Sequence, residues 1–275
     1  FTLIEMMVGL TIGLLLLLGL FSLIAAQSRA FQMQDSNFGR LRENAHSALR
    51  YIGDSVRLSS FYGYARGPGD VSLTTDTALT TTGDCGSSTN LPTDKWALQV
   101  TVPVYGVSDR TPSNVNGVFP CIKAANFASG PGTRPNPILV TRGAGGFRIT
   151  SATLAAQPKY ATTLYVQADP IKGLLFYGNN FTSLKAANQT RKTFYGADID
   201  IFEYRAHVYY IRPCTRALAT NGQCEVTDDG GRPIPTLARQ ELFGSAMTEV
   251  PLVEGIERID YRYGIDDRPT LTNTG

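Results

Sequence analysis

An uncharged apolar run near the start of the chain limits what this sequence can fold into. The chain opens FTLIEMMVGLTIGLLLLLGLFSLIAA, and from position 6 to position 26 the only polar side chains are Thr11 and Ser22. At about 1.5 Å rise per residue those positions form a helix of roughly 31 Å. A hydrocarbon core is about 30 Å thick. The sequence therefore predicts a helix that can span a membrane.

Glu5 stands at the head of this run and needs a physical explanation. An unpaired ionisable group costs on the order of 2.5–3.5 kcal/mol at the middle of a membrane, and less near its surface. The carboxylate therefore needs either a partner of opposite charge or a position among the lipid headgroups, and both readings remain open from the residues alone. No basic segment precedes the run and the chain starts with Phe1, so we expect a cleaved product with a free amine at Phe1.

The polar sequence after residue 26 keeps a helical pattern. Its apolar residues recur at spacings of three, four and seven, and no proline occurs in residues 1–58, so we predict one helix of roughly 55 residues. We expect the rest of the chain to cover this stripe. The stripe consists of Phe31, Phe38, Leu41, Ala45, Ala48, Ile52 and Val56.

The remainder of the chain reads as strands between turn-rich loops. We predict an α+β fold in which the long N-terminal helix packs on a largely antiparallel sheet. The predicted parts are a hydrophobic half of the helix at 1–27, an amphipathic half at 28–58 and a β-rich globular head at 59–275, with long loops at 66–95 and 106–136. The predicted strands are 96–105, 138–150, 162–168, 172–178, 198–212, 234–242 and 253–265.

The four cysteines predict disulfides. Cys85, Cys121, Cys214 and Cys224 form no CxxC pair and lie far from both histidines in the sequence, which argues against zinc. An even number of cysteines beside a membrane segment indicates an oxidising compartment. Three connectivities are possible, and we favour Cys214–Cys224, which closes a short loop and leaves Cys85–Cys121.

Charge and motifs argue against several classes of function. Lys+Arg 25 against Asp+Glu 23 gives no basic excess for nucleic-acid binding, so the arginines of the predicted helix read as a solvated face. The pairs Asp228–Asp229 and Asp266–Asp267 lack EF-hand spacing, and turns explain them better than calcium. No catalytic signature is present. We expect no enzyme, no cofactor and no metal.

Several segments resemble a known family. FTLIEMMVGLTIGLLLLLGL, with Phe1, Glu5 and an unbroken apolar run, resembles the processed N-terminus of type IV pilins. RLRENAHSALRYIGDSVRLSSFYGY, HVYYIR, PTLARQEL and LVEGIERIDYRYGID are similar to the PilW-type minor pilins. The chain departs from many major pilins at Ser22, where those proteins have proline.

The resemblance implies a fold, partners and a location. It implies a type IV pilin fold, removal of a leader by a prepilin peptidase, methylation of the Phe1 amine, and passage from the bacterial inner membrane to an extracellular pilus. Glu5 of one subunit would then pair with the Phe1 amine of a neighbouring pilin, and the GxxxG spacing of Gly9 and Gly13 would let the helices approach closely. Such a subunit would prime pilus assembly with other minor pilins and a tip adhesin.

Three alternatives remain open. The tip pseudopilin of a type II secretion system would share this N-terminus, and the chain could also be the repeating subunit of its own filament. A membrane-tethered adhesin that does not polymerise is an alternative from a different class. In that case Glu5 would lie in the headgroup region of a single-pass anchor.

Overall fold

The computed structural model shows an α+β chain, as the sequence predicts. It describes residues 2–73, 81, 83–86, 96–107, 119–122, 137–216, 224–262 and 264. The chain divides into two compact units, Phe1–Ser47 and Ala48–Gly275. The second unit therefore begins inside the helix rather than at residue 59, where the sequence places the start of the head.

One helix, α1, runs over Leu3–Leu58, which matches the predicted length. It passes through Ser22 without interruption, and the Ser22 hydroxyl donates to the carbonyl of Gly19 at 2.7 Å. The helix ends where the next residues leave the helical conformation: Ser60 has a φ of 67°. A hydroxyl that bonds back to its own helix needs no partner in lipid, so Ser22 is compatible with the apolar segment.

In the described part of the chain, eight strands form one sheet. Its main path has the order β1-β5-β4-β6-β3-β2, and β7 pairs with β6 and with β8. All pairs are antiparallel except β1 with β5, so the sheet is largely antiparallel, as predicted. The strands are β1 Val71–Leu73, β2 Val104–Val107, β3 Ile138–Ala144, β4 Leu164–Ala168, β5 Gly173–Tyr177, β6 Ile201–Arg212, β7 Thr236–Phe243 and β8 Ala246–Glu254, and a short helix α2 covers Phe181–Ala186.

The predicted strand at 96–105 is wrong over most of its length. Residues 96–101 form turns, and the strand starts only at Val104. Trp96, Ala97 and Leu98 are consecutive and all buried, whereas a strand with one exposed face would expose the middle residue. This segment covers the sheet with its side chains and does not extend it.

The predicted strand at 253–265 is also wrong. The strand found there is β8, which ends at Glu254, and Gly255 follows with a φ of 75°. The amides of Gly255 and Ile256 both donate to the carbonyl of Pro235, which turns the chain away from the ladder. Pro251 lies inside β8 opposite an irregularity in β7, and among the described residues β8 pairs with β7 alone. An edge strand with such an irregularity can tolerate a proline.

One face of the sheet is covered by irregular chain. Alternate residues of β6, including Tyr204 and Val208, share a core with Trp96 and Phe119 of the covering segments. The Cys85–Cys121 disulfide belongs to this layer. The disulfide and side-chain hydrogen bonds from the sheet, such as that from Tyr204 to the carbonyl of Ala97, hold the described part of this layer in place.

The other face of the sheet packs on two helices. Ala48 and Ile52 of α1 are buried against Tyr209 and Ile211 of β6, and Phe181 of α2 belongs to a separate core on the same face of the strand. The expectation that the whole apolar stripe of α1 is covered is wrong, because among its members only Ala48 and Ile52 are buried. Phe31, Phe38, Leu41 and Val56 are exposed.

The end of α1 closely approaches the backbone of β3. Ser59 forms an isolated antiparallel bridge with Gly143, and the amide of Ser60 donates to the carbonyl of Arg142 at 3.1 Å. A Cβ atom added to Gly143 would lie 2.1 Å from the carbonyl oxygen of Leu58. Only glycine fits at this position.

We predict that Gly143→Ala destabilises the second unit by about 1–3 kcal/mol, because backbone atoms would have to move to make room. Gly146→Ala is the matched control, since the nearest atom to its added Cβ is 4.0 Å away. Urea unfolding of the full chain, followed by the fluorescence of the buried Trp96, measures both variants. Equal midpoints for the two variants would contradict the close contact.

Candidate functional site

The first candidate site is a groove on one face of the apolar part of α1. The groove encloses about 450 Å³ and is lined by Glu5, Met6, Gly9, Leu10, Gly13, Leu14 and Leu17. Residues 5, 9, 13 and 17 are spaced by four and therefore share one side of the helix. We call this feature the helix groove. It contains three of the four residues that the sequence associates with assembly; Phe1 lies outside the described residues.

The helix groove lies on an exposed apolar segment. Leu3–Ser28 has a mean hydropathy of 2.5 and is 26 residues long, and none of its residues is buried in the structure. Length and composition suit a membrane span, although a signal sequence meets the same criteria. Cβ atoms added at Gly9 and Gly13 would meet nothing within 4 Å. These glycines leave the helix backbone open to a neighbour.

The Glu5 carboxylate has a local hydrogen-bonding role at the start of α1. Its Oε2 atom accepts a hydrogen bond from the backbone amide of Thr2 at 3.0 Å and another from the Thr2 hydroxyl at 3.3 Å. This is the reciprocal half of a capping box, in which a carboxylate at the third helical position satisfies a free amide. A negative charge there also interacts favourably with the helix dipole. The T-x-x-E spacing from Thr2 to Glu5 is the sequence signal for this cap.

The cysteines form the connectivity that the sequence favours. Cys85 bonds to Cys121, and Cys214 bonds to Cys224. Cys214, Cys224 and Asp228 lie close enough together to suggest metal ligands, but the two sulfurs are already joined. A disulfide offers no thiolate to a metal.

The acidic pair at Asp228–Asp229 organises the turn beside the second disulfide. Asp228 is buried and accepts from the amide of Glu225 at 2.7 Å. Asp229 accepts from the amides of Thr215 and Ile234, each at 2.9 Å, and also from the Thr215 hydroxyl. These bonds lower the pKa of Asp229 against the opposing effect of burial. The pair therefore acts as turn residues, and Asp266–Asp267 lies outside the described residues.

The second candidate site is polar and lies where the end of α1 meets the sheet. A cavity of about 190 Å³ has Ser55, His207, Arg205 and Arg239 in its wall. The Ser55 hydroxyl lies 2.9 Å from Nδ1 of His207 and 2.5 Å from the hydroxyl of Tyr209. This cluster has no signature in the sequence, because 152 positions separate Ser55 from His207.

The Ser55–His207 pair is poorly suited to catalysis. Loss of hydration, together with the neighbouring charges of Arg239 and Arg205, lowers the pKa of His207 to about 3. A histidine with so low a pKa is a weak general base at neutral pH. Tyr209 also donates to the carbonyl of Tyr51 at 3.2 Å, so the cluster ties α1 to β6.

A buried cation lies on the opposite face of the sheet. The Arg142 guanidinium stacks 4.2 Å above the ring of Trp96, and its Nη1 donates to the carbonyl of Val102 at 2.8 Å. Burial raises the pKa of Asp84, which accepts hydrogen bonds from Thr81 and from the amides of Cys85 and Ala97. These polar groups hold the irregular layer on the sheet.

Similarity to known proteins does not assign the chain to a family. Neither the protein-family models, nor the curated proteins, nor the solved structures include a match. The functional argument therefore depends on the residues and on their geometry.

We predict that His207 contributes to acid sensitivity. Its folded pKa is near 3 and an unfolded histidine titrates near 6.5, so between these values the unfolded state binds the extra proton and stability falls as the pH falls. His207→Gln should reduce this slope by up to one proton, about 1.4 kcal/mol per pH unit. Unfolding free energies at several pH values from 3 to 7 measure it.

The exposed His46 provides the matched control for this experiment. His46→Gln removes the other histidine of the chain without touching the cluster around Ser55. If His207→Gln and the parent chain lose stability equally between pH 6.5 and pH 3, His207 is not protected from protonation in the folded state.

Proposed function

We propose that this chain is a structural subunit of a type IV pilus, a PilW-like minor pilin that primes assembly and sits near the pilus tip. The observation that carries the proposal is the exposed Glu5 carboxylate at the head of the uncharged segment 6–26 of α1, on the same face as Gly9 and Gly13. A plain membrane anchor needs none of these three features on one face. A helix that packs laterally on copies of itself uses all of them.

The first step of the argument concerns charge. Thr2 is the hydrogen-bond partner of Glu5 among the described residues, and it leaves the negative charge uncompensated. Removing that charge from water is costly unless an opposite charge accompanies it. The free amine of Phe1 on an adjacent subunit supplies such a charge. A wrong axial stagger would leave both groups unpaired, so the pair selects one register as well as stabilising the contact.

The second step concerns shape. In lipid there is little hydrophobic driving force between helices, so association depends on close packing and small residues. Gly9 and Gly13 are open to a neighbour, and leucines flank them at Leu10, Leu14 and Leu17. A partner helix can therefore approach the backbone along the helix groove while its side chains pack on these leucines.

The third step concerns the whole chain. Before assembly, the segment Leu3–Ser28 has the length to hold the subunit in the inner membrane. By the family resemblance, a prepilin peptidase would process the chain, and other minor pilins and a tip adhesin would be its partners. The disulfides suit an extracytoplasmic location. The proposal includes no catalysis, no cofactor and no nucleic acid.

We predict that Glu5→Ala and Glu5→Lys abolish incorporation into surface fibres while leaving membrane insertion intact. The alanine removes the charge, and the lysine would repel the neighbouring amine. Immunoblots of sheared fibres and of membranes measure both properties. Glu43→Ala, which removes an exposed carboxylate elsewhere on α1, is the control and should assemble normally.

Four results would count against this proposal or redirect it. Normal incorporation of Glu5→Lys would contradict the charge pairing. Fibres made of this chain alone would make it a repeating subunit, and loss of protein secretion without loss of fibres would favour the type II secretion pseudopilin. An unprocessed N-terminus in the mature protein would favour the tethered adhesin.

We also predict that Gly9→Ile and Gly13→Ile reduce incorporation severalfold, because a branched side chain would hold the partner backbone away from the helix groove. Gly19→Ile is the matched control, since Gly19 lies in the same apolar segment but does not line the groove. The same fibre assay measures all three variants. Equal loss for Gly19→Ile would mean that the substitutions act on the helix in general and not on one face.

A further inference from the structure

Three loops meet at one end of the sheet, where β3 and β4 finish and β5 and β6 begin. Residues 145–148 follow β3, residues 169–172 join β4 to β5, and residues 191–199 form a hairpin that leads into β6. The strand register places them together, because Ala168 pairs with Gly173 and Gln167 pairs with Ile201. We call these three segments the loop cluster.

Among the described residues of the second unit, the loop cluster carries the three most exposed large apolar side chains and a fourth that is also largely exposed. Phe194 is 99% exposed, Tyr195 93%, Phe147 82% and Ile171 72%. In the described part of that unit, the only other large apolar side chain above 70% is Val226, which follows the far end of β6. Four such side chains on three separate loops at one end are unusual for a surface that faces only water.

The exposed rings are held by an ordered backbone. The Thr193 amide donates to the carbonyl of Ala197 at 2.7 Å, and the Gly196 amide donates to the carbonyl of Thr193 at 2.9 Å. The rings of Phe194 and Tyr195 contact each other edge to face, with centroids 5.5 Å apart. The tight turn therefore presents both rings together.

Buried hydrogen bonds fix the base of the hairpin on the sheet. The buried side chain of Gln167 accepts from the amide of Arg191 at 2.8 Å and donates to the carbonyl of Ile199 at 2.8 Å. The amide of Ile149 donates to the carbonyl of Ile201 at 2.8 Å, which attaches the segment after β3 to the same place. The apolar tips thus project from a rigid support.

Each loop places a cation beside its apolar tip. Arg148 follows Phe147, Lys172 follows Ile171, and Lys192 lies two residues before Phe194. Arg148 and Lys192 are exposed, and so is Lys172. Asp200 lies 3.7 Å from Arg148, and Asp169 is engaged by the amides of Ile171 and Lys172 at 2.7 Å each. Apolar tip and adjacent cation recur on all three loops.

We propose that the loop cluster binds the surface of an anionic phospholipid bilayer. Aromatic and aliphatic side chains are favoured at the boundary between headgroups and acyl chains, and neighbouring lysine and arginine are attracted to lipid phosphates. A glycan platform would need a flat ring face, whereas these two rings stand at 87° to each other. A protein interface would centre on one packed apolar patch with few charges, and here the tips alternate with cations on separate loops.

This inference does not depend on the proposed pilus function and can be tested separately. The full chain carrying Phe194→Trp is inserted in phosphatidylcholine vesicles, and the quenching of its tryptophan fluorescence by brominated phosphatidylglycerol is measured. In one arrangement the brominated lipid is part of the same vesicles, and in the other it is in separate vesicles that are added afterwards. The signal of the buried Trp96 in the parent chain is subtracted. Val226→Trp, at the opposite end of β6, is the matched control.

We expect strong quenching for Phe194→Trp in at least one of the two arrangements, little for Val226→Trp, and severalfold less when Lys172→Glu and Lys192→Glu are added. High salt should weaken the effect. Absence of quenching in both arrangements would overturn the proposal, and so would equal quenching by brominated phosphatidylcholine. If Phe194→Ser blocked fibre incorporation while Phe194→Trp showed no quenching, the loop cluster would be a protein contact and the lipid proposal would be wrong.

Discussion

The two-sided burial of β6 is the constraint on which the second unit depends. This strand pairs with β3, β4 and β7, and its alternate residues enter cores on opposite faces of the sheet. Tyr204 and Val208 point toward the irregular layer, while Tyr209 and Ile211 meet α1. Because the side-chain period of a strand is two, a slip of one residue would exchange the two sets and place His207 in the apolar core. The register of β6 therefore fixes where every other layer attaches.

The sequence correctly predicted the elements that are determined by residues close together in the chain. The long helix followed from its apolar composition and from the absence of proline, and Glu5, Gly9 and Gly13 could be assigned to one face from their spacing alone. The strand predicted at 96–101 was wrong because consecutive residues there are buried, whereas the alternating pattern of the sequence predicts that every second residue is exposed. The sequence did not predict β8 because Pro251 interrupts the strand pattern. The sheet tolerates this proline because the register of β7 opposite it is irregular. Contacts between distant residues, such as Ser55 with His207, had no local signature.

Polar groups replace regular hydrogen bonding where the sheet is covered by irregular chain. The Tyr62 hydroxyl donates to the carbonyl of Val100 at 3.0 Å, and the Tyr204 hydroxyl donates to that of Ala97 at 2.6 Å. Burial raises the pKa of Tyr62 to about 12, so this hydroxyl keeps its proton and remains a donor across the physiological range. The hydroxyls of Tyr62 and Tyr204 and the guanidinium of Arg142 thus donate to carbonyl groups of the irregular segment at 97–102.

Two exposed apolar surfaces among the described residues, Leu3–Ser28 and the loop cluster, differ in the charges beside them, and each pattern suits different surroundings. Along Leu3–Ser28 one carboxylate stands at the end of a long uncharged stretch, which suits an interior where each charge must be compensated by a specific partner. In the loop cluster every apolar tip has a cation next to it, which suits a boundary where headgroups and water hydrate charges. In hydrocarbon, the cations beside the apolar tips would be costly to bury. At the headgroup boundary, water hydrates charges, so a carboxylate there would not need a specific partner. Under the two proposals, these surfaces would meet an apolar environment at different depths, and one could not substitute for the other.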